Sequence, residues 1–378
     1  MEEAPRATRA VFSLARVLPL ASAAESRGCG RLAATRRLNT DRGLWTAPGT
    51  GDRGPGTGTG AGDREPGPGT SVLERADGGL TGPIGTWEDE AMPEMPEVQG
   101  LVDFLAARAT GLAPTKATVA NIAALKTYDP PLDALIGSPV TAVARHGKFI
   151  DLATDAGYHL IFHLAKAGWL RWYEQLPSTV IRPGKTPIAL RVAFDDGSGF
   201  DLTEAGTKKS LAVYSVRDPQ DVPGIARLGP DPLADTFTRD ALAELLAGRR
   251  THIKGVLRDQ SVIAGIGNAY SDEILHAARM SPYALAASLD AADIDRLATA
   301  VDRTLREAVA AASGKPPADL KDAKRRGMAV HGRRGETCPV CGDEVRSVFF
   351  ADNSLEYCPT CQTGGKLLAD RRLSRLLK

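Results

Sequence analysis

Two cysteine pairs constrain this chain more than any other feature. Cys338-Pro-Val-Cys341 and Cys358-Pro-Thr-Cys361 stand 16 residues apart, within the spacing of a four-thiolate zinc site. Each CxxC turns the backbone so that two thiolates face one ion, and two such knuckles complete a tetrahedron. The residues between them, 345–350 and 354–357, read as a β-hairpin. The C-terminal end is therefore expected to be a zinc ribbon holding one Zn2+ per chain on Cys338, Cys341, Cys358 and Cys361. Four thiolates leave no open position for water, so the metal is structural. Of five cysteines only Cys29 stands outside this cluster, a distribution that fits a metal site in a reducing cytosol and not a secreted disulfide framework.

Charge is distributed unevenly. The whole chain carries a formal +1, yet from Ser313 to Lys378 there are 13 Lys and Arg against 8 Asp and Glu. Arg333, Arg334, Arg346, Arg371 and Arg372 around the ribbon suit a phosphate backbone, a solvated basic surface being the plain alternative. The composition, 43% hydrophobic and 25% charged, is that of a globular protein, and with no apolar run of about 18 residues no membrane span is expected.

The chain changes texture at Met92. Residues 1–91 are rich in Arg, Ala, Gly, Pro and Thr, as in Gly51-Asp-Arg-Gly-Pro-Gly, and lack the apolar surface to offset ordering entropy. They read as a disordered extension or as a start codon set too far upstream; Glu2, Glu3 and Glu25 fit a transit peptide poorly. From Val98 a short amphipathic helix runs to Gly111. Segments 140–152, 158–164, 188–194 and 211–216 read as strands of an all-β or sandwich body. After Asp231-Pro232 the period becomes helical, over 239–247, 253–259, 268–278 and 291–312, and Lys321-Asp-Ala-Lys-Arg-Arg reads as a basic linker to the ribbon. The expected division is 1–91, a catalytic β-sandwich domain over 92–225, a helical domain over 226–320, and 321–378 for the linker, ribbon (about 330–362) and basic tail.

Pro93-Glu-Met-Pro-Glu-Val98, Gly147-Lys148-Phe149, Ala264-Gly-Ile-Gly-Asn268-Ala-Tyr-Ser-Asp-Glu273 and the cysteine ribbon occur in one order. Together they resemble the formamidopyrimidine-DNA glycosylase and endonuclease VIII family of DNA repair enzymes, over Met92 to about Gln362. The resemblance implies an α+β multidomain fold: a two-layer β-sandwich with flanking helices, a helix-two-turn-helix domain, and the ribbon. It implies a monomeric, cytoplasmic base excision repair enzyme, nucleoid-associated in a bacterium. Such an enzyme removes damaged, expectedly oxidised, bases from double-stranded DNA and nicks the strand by β-elimination. Pro93, exposed as an N-terminal amine on loss of Met92, is implied as the nucleophile at C1′, Glu94 as general acid/base, and Lys148 as a phosphate contact that assists proton transfer. An α-amino pKa near about 8 leaves a usable fraction of the amine neutral. If residues 1–91 stay attached, that nitrogen is an inert amide. Asn268 is expected to cap its helix while facing a phosphate, with Gly265 and Gly267 allowing close backbone approach to that phosphate. Arg249, Lys254 and Lys208 are further candidate DNA contacts.

The sequence departs from the family at four places. Leu164-Ala165-Lys166-Ala167-Gly168 stands where the family has Leu-Gly-Met-Ser-Gly, and a lysine is no apolar wedge for the gap left by a flipped base. Glu204-Ala-Gly-Thr-Lys-Lys209 replaces Asp-Pro-Arg-Arg-Phe, Lys208 or Lys209 keeping some charge. Lys185 to Arg191 contains no histidine to match a family DNA contact. Asn353 replaces an arginine that promotes the second elimination, and a shorter, uncharged side chain makes no charge-assisted phosphate contact. These changes imply retained β-lyase chemistry with weak δ-elimination. The opposing reading is a noncatalytic DNA-binding or damage-sensing member of the same fold; a zinc-ribbon RNA-binding module explains the cysteines but not Pro93-Glu94.

Overall fold

The computed structural model describes residues 92–369 apart from 185, 206–208 and 351–353. Everything read into residues 1–91, and the proposed roles of Lys208 and Asn353, lie outside the described residues.

Two four-stranded antiparallel sheets face each other. One runs in the order β2 (Val140–His146), β3 (Phe149–Thr154), β4 (His159–His163), β8 (Ala212–Val216); the other runs β1 (Pro114–Val119), β6 (Ile188–Phe194), β7 (Gly199–Glu204), β5 (Gly168–Tyr173). Between them Ile150, Leu152, Phe162, Leu170, Phe200 and Leu202 are almost wholly buried in one cluster. Helix α1 (Met95–Ala109) lays Val98, Leu101 and Leu105 into this core.

The helical part comprises α2 (Arg239–Leu246), α3 (Ile253–Arg258), α4 (Asn268–Ala277) and α5 (Ala291–Ala312), packed around Leu257, Ile274, Leu275, Leu297 and Leu305. Met95, at the first turn of α1, belongs to this second core and not to the sandwich. One helix thus joins both cores, and its close crossing with α5 leaves little room at Gly100, where a Cβ would lie 3.1 Å from the Cβ of Ala312.

The sequence reading differs from the structure in two instructive places. Residues 140–152 are not one strand but the β2–β3 hairpin, broken at Gly147, whose φ of +58° suits a residue without a Cβ. That turn carries Lys148. The stretch read as a basic linker lies in a helix, α6 (Pro317–Gly327), which buries Leu320 in the sandwich core and also buries Lys324. The ribbon follows as β9 (Arg346–Phe349), β10 (Ser354–Tyr357) and α7 (Pro359–Thr363). No helix among the described residues is long and apolar enough to cross a membrane.

Candidate active site

The site is built where α1 begins. Pro93 is buried, and Glu94, 1% exposed, is the N-cap of α1. Its carboxylate does not face solvent. It accepts backbone N–H groups from Gly267 (2.6 Å), Ala269 (2.8 Å) and Tyr270 (3.4 Å), so it sits on the positive end of α4. Gly267 is required by this contact: a Cβ there would lie 2.3 Å from the Glu94 carboxyl carbon. Gly265 likewise makes room for Met95, whose N–H donates to the Gly265 carbonyl at 3.1 Å. The two glycines therefore make room for Glu94 and Met95 at the start of α1.

Burial alone would raise the Glu94 carboxyl. The Lys324 and Lys148 ammonium groups and the Ala269 N–H outweigh it and hold the group at about 2. Lys148 moves the other way: desolvation pushes its ammonium below the ordinary lysine range, opposed by Glu94. At the end of β4, His163 packs on the Phe149 ring at 4.7 Å, and burial, then Lys148, lowers it to about 4. Glu94 and Lys148 thus shift each other's charge, the carboxyl held low and the ammonium eased below its ordinary range.

Lys324 was not singled out from the sequence. Its Nζ donates to the Met92 carbonyl at 2.8 Å and lies 3.5 Å from Glu97 Oε2 and 3.8 Å from Glu94 Oε1. Glu97 in turn accepts the Glu94 N–H at 2.8 Å and the Tyr270 hydroxyl at 2.6 Å. Burial raises the Glu97 carboxyl despite these partners.

The candidate DNA contacts divide. Arg249 is exposed, with Nε donating to the Leu245 carbonyl at 2.6 Å, which leaves the end of its guanidinium for a phosphate. Lys254 contradicts its expected role. It is 6% exposed, and its Nζ is bound to Asp272 Oδ1 (2.5 Å), Ser271 Oγ (3.0 Å) and the Asn268 carbonyl (3.1 Å). A side chain spent on a buried carboxylate has no reach to the surface. Asn268 does not cap α4 either, since Gly267 is the N-cap; the Asn268 amide donates to the Ser354 carbonyl of the ribbon at 2.9 Å. Arg191, in the segment without the family histidine, forms a buried fork on Asp201 at 2.6 and 2.7 Å. Lys166 stands exposed in the β4–β5 turn.

The four cysteine sulfurs all lie within 4.8 Å of one another, with 3.9 Å between Cys338 and Cys361 and 3.3 Å between Cys341 and Cys358. Tetrahedral zinc with Zn–S near about 2.3 Å places sulfurs about 3.8 Å apart, so the donor set fits a closed structural zinc site. The ribbon is fastened to α4 by a second buried group. His331 Nδ1 lies 2.9 Å from Asp272 and 3.0 Å from Glu356, and Lys254 completes the cluster through Asp272. With an ammonium already on Asp272, this trio is an ion-pair network and not a metal site.

The comparisons agree with this architecture. Residues 92–210 match the formamidopyrimidine-DNA glycosylase N-terminal domain, 228–316 the formamidopyrimidine-DNA glycosylase H2TH domain, and 335–364 a zinc finger found in FPG and IleRS. Formamidopyrimidine-DNA glycosylase of Laribacter hongkongensis is 33% identical over 282 residues, covering 72% of this chain and 100% of the relative. The chain belongs to the formamidopyrimidine-DNA glycosylase family. An uncharacterized formamidopyrimidine-DNA glycosylase-like protein of Mycobacterium tuberculosis is 60% identical over 151 residues, covering 40% of this chain and 94% of that protein. Among solved members, the MutM (Fpg) protein of Thermus thermophilus superposes with a TM-score of 0.62 at 28% identity, over 73% of this chain and 100% of that one. The Lactococcus lactis Fpg in complex with abasic-site DNA gives 0.64 at 23% identity, over 72% of this chain and 100% of that one, and shows the fold alone.

Proposed function

We propose that this chain, with Pro93 as its N-terminal residue, is a base excision repair DNA glycosylase and abasic-site lyase acting on damaged double-stranded DNA. The observation that carries the reading is the placement of the Glu94 carboxylate, held by the N-terminus of α4 directly beside Pro93 and electrostatically coupled to Lys148. A noncatalytic damage sensor has no need of a carboxylate held at about 2 beside a lysine of lowered pKa.

In this reading the Pro93 amine attacks C1′, forming the N–C1′ bond as the bond to the damaged base breaks. A carboxyl held at about 2 is a base before it is an acid, so Glu94 takes the proton that the amine releases. Lys148, whose ammonium gives up its proton more readily than an ordinary lysine, supplies one toward the departing base or the sugar ring oxygen. Ring opening leaves an iminium. Loss of a C2′ proton then expels the 3′-phosphate, and water hydrolyses the Schiff base to return the amine. With Asn353 where the family carries arginine, the main product end is that of β-elimination. The zinc ribbon and Arg249 supply backbone contacts; a monomer acting on chromosomal DNA in the cytoplasm suits an asymmetric lesion.

A chain starting at Met92 retains both cores and the ribbon, and over such a length the Laribacter relative is covered completely, so it is a folding unit. Borohydride trapping with an abasic-site duplex tests the reading. A Met92-start protein processed to Pro93 gives a covalent adduct, and the full chain, in which Pro93 is an amide, gives none. No adduct from the processed protein refutes it.

A further inference from the structure

Lys324 enters the chemistry set out above only through its charge on Glu94, yet it is also placed at the nucleophile. Its Nζ lies 2.8 Å from the Met92 carbonyl oxygen. That oxygen and the Pro93 nitrogen share one carbonyl carbon, at bond lengths of about 1.2 and 1.3 Å, so the two nitrogens are about 5 Å apart at most. The side chain is 4% exposed, and its position is fixed by Glu97 at 3.5 Å, Glu94 at 3.8 Å and the face of the Tyr270 ring at 5.4 Å. Helix α6 holds it there by packing Leu320, one turn earlier, into the sandwich core.

We propose that Lys324 is a positioning residue for the N-terminal amine: its ammonium keeps the Pro93 nitrogen unprotonated near neutral pH and orients it against Glu94. This rests on Pro93 being the nucleophile. When Met92 is removed, the group that Lys324 contacted is gone, and the amine takes its place beside a fixed positive charge. A unit charge at about 5 Å lowers a neighbouring amine by roughly 0.6 pH unit in water-like surroundings and by roughly 2.4 at an effective dielectric of about 20. The other charged groups of this cluster act in both directions. Glu94 and Glu97 of α1 favour the protonated amine. Lys148 of the β2–β3 turn, Arg258 of α3 and His331 after α6 oppose it through their charge on the same cluster, and the Tyr270 hydroxyl of α4 is committed to Glu97. Lys324 is the cation that lies within 4 Å of both carboxylates and the largest lowering charge on Glu94, so its removal shifts the balance toward them. The sequence signal was slight: Pro317, Leu320 and Lys324, at i, i+3 and i+7, share one helical face and are all buried.

The test is the pH profile of borohydride trapping on abasic-site DNA by the processed Pro93 protein, for wild type, Lys324→Met and Lys324→Arg. Lys324→Met keeps the aliphatic stem and loses the charge. Its trapping midpoint moves up by about one pH unit, so that trapping at pH 7 falls roughly tenfold and recovers by about pH 9; Lys324→Arg stays near the wild-type midpoint. Thermal melting and binding to uncleavable abasic-analogue DNA identify variants that keep the fold. A folded Lys324→Met with an unmoved midpoint, or with a loss equal at every pH, overturns this inference alone. Should Lys324→Met not fold, Lys324→Arg decides: a midpoint displaced as far as that expected for charge removal overturns it, and a retained midpoint supports it. No adduct from the wild-type protein overturns this inference together with the proposed function.

Discussion

Gly267→Ala isolates the grip on Glu94. The backbone at Gly267 is extended, at φ −122° and ψ −152°, so alanine meets no backbone strain. The obstacle is the carboxylate: the new Cβ would lie 2.3 Å from Glu94 Cδ and 2.6 Å from each of its oxygens. Ordinary contact begins near 3.4 Å, so Glu94 must retreat by roughly 1 Å, and the Gly267 and Ala269 N–H bonds at 2.6 and 2.8 Å cannot both survive. Hydrogen bonds to a charged group contribute about 1.5–3 kcal/mol each, so losing one to two of them costs about 3 kcal/mol. A misplacement of about 1 Å at a reacting group reduces rate on the order of 10²-fold. Single-turnover excision and Schiff-base trapping read the second effect, and thermal unfolding reads the first. Gly255→Ala is the control, because its Cβ meets nothing within 4 Å on α3 and a helical glycine-to-alanine change stabilises by roughly 0.5–1 kcal/mol. If Gly267→Ala melts and traps like wild type, Glu94 is not held by α4 as described.

Lys254→Met is expected to cost on the order of 3 kcal/mol in thermal stability, because the buried Asp272 loses its ammonium partner and keeps His331, and to leave the salt dependence of DNA affinity unchanged. Arg249→Ala, by contrast, leaves stability within about 0.5 kcal/mol, weakens binding to all sequences alike and reduces the slope of log K against log salt by about 1 in magnitude. His331 is lowered by burial but raised more strongly by its bonds to Asp272 and Glu356, to about 10, against an ordinary value of 6.5. The stability it contributes is fully present below about pH 6.5 and is lost as pH rises to about 10, so alkaline titration of Tm falls over that window and His331→Gln removes that part of the slope. Stripping zinc with a chelator unfolds the ribbon and with it the Asn268 and Glu356 contacts to α4; retained DNA affinity and an unchanged near-ultraviolet spectrum after metal loss would count against this.

Much of the fold was legible because its signals are local. Helices α2 to α5 emerge from a 3.6-residue period, and α5 runs from Ala291 to Ala312, the limits its pattern suggested. The ribbon follows from cysteine spacing alone. Strands β1, β5 and β7 went unread for different reasons. Pro114-Thr-Lys-Ala-Thr-Val lies at a sheet edge with a mostly exposed face, while β7 buries Asp201 and Glu204, which on sequence grounds belong in turns. Asp201 is tolerated there because Arg191 meets it from β6. The site divides in the same way. Pro93, Glu94 and Lys148 sit in motifs, whereas Lys324 and Lys254 exchange their expected places, the linker lysine lying in the site and the supposed surface lysine in a buried ion pair. Charge identifies a lysine in a sequence, but only the packing of Leu320 and Asp272 decides where it goes.

These assignments give the N-terminal residues a mechanical role as well as a chemical one. Pro93 and Glu94 precede a helix whose first residue, Met95, is set in the helical core and whose remaining apolar face is set in the sandwich. Glu94 itself is bonded to α4, and α4 carries the ribbon through Asn268, Asp272 and Glu273. Pro93, the proposed nucleophile, thus precedes a junction where the sandwich, the helical core and, through α4, the ribbon meet. Relative movement of these parts on DNA would be felt first at Glu94, whose contacts to Gly267 and Ala269 cross that junction. A site fixed to either core alone would keep its geometry in any relative arrangement of the two. This one brings Glu94, the N-terminus of α4 and Lys324 together only where both cores meet, which under the proposed function ties the chemistry at C1′ to the arrangement that holds DNA.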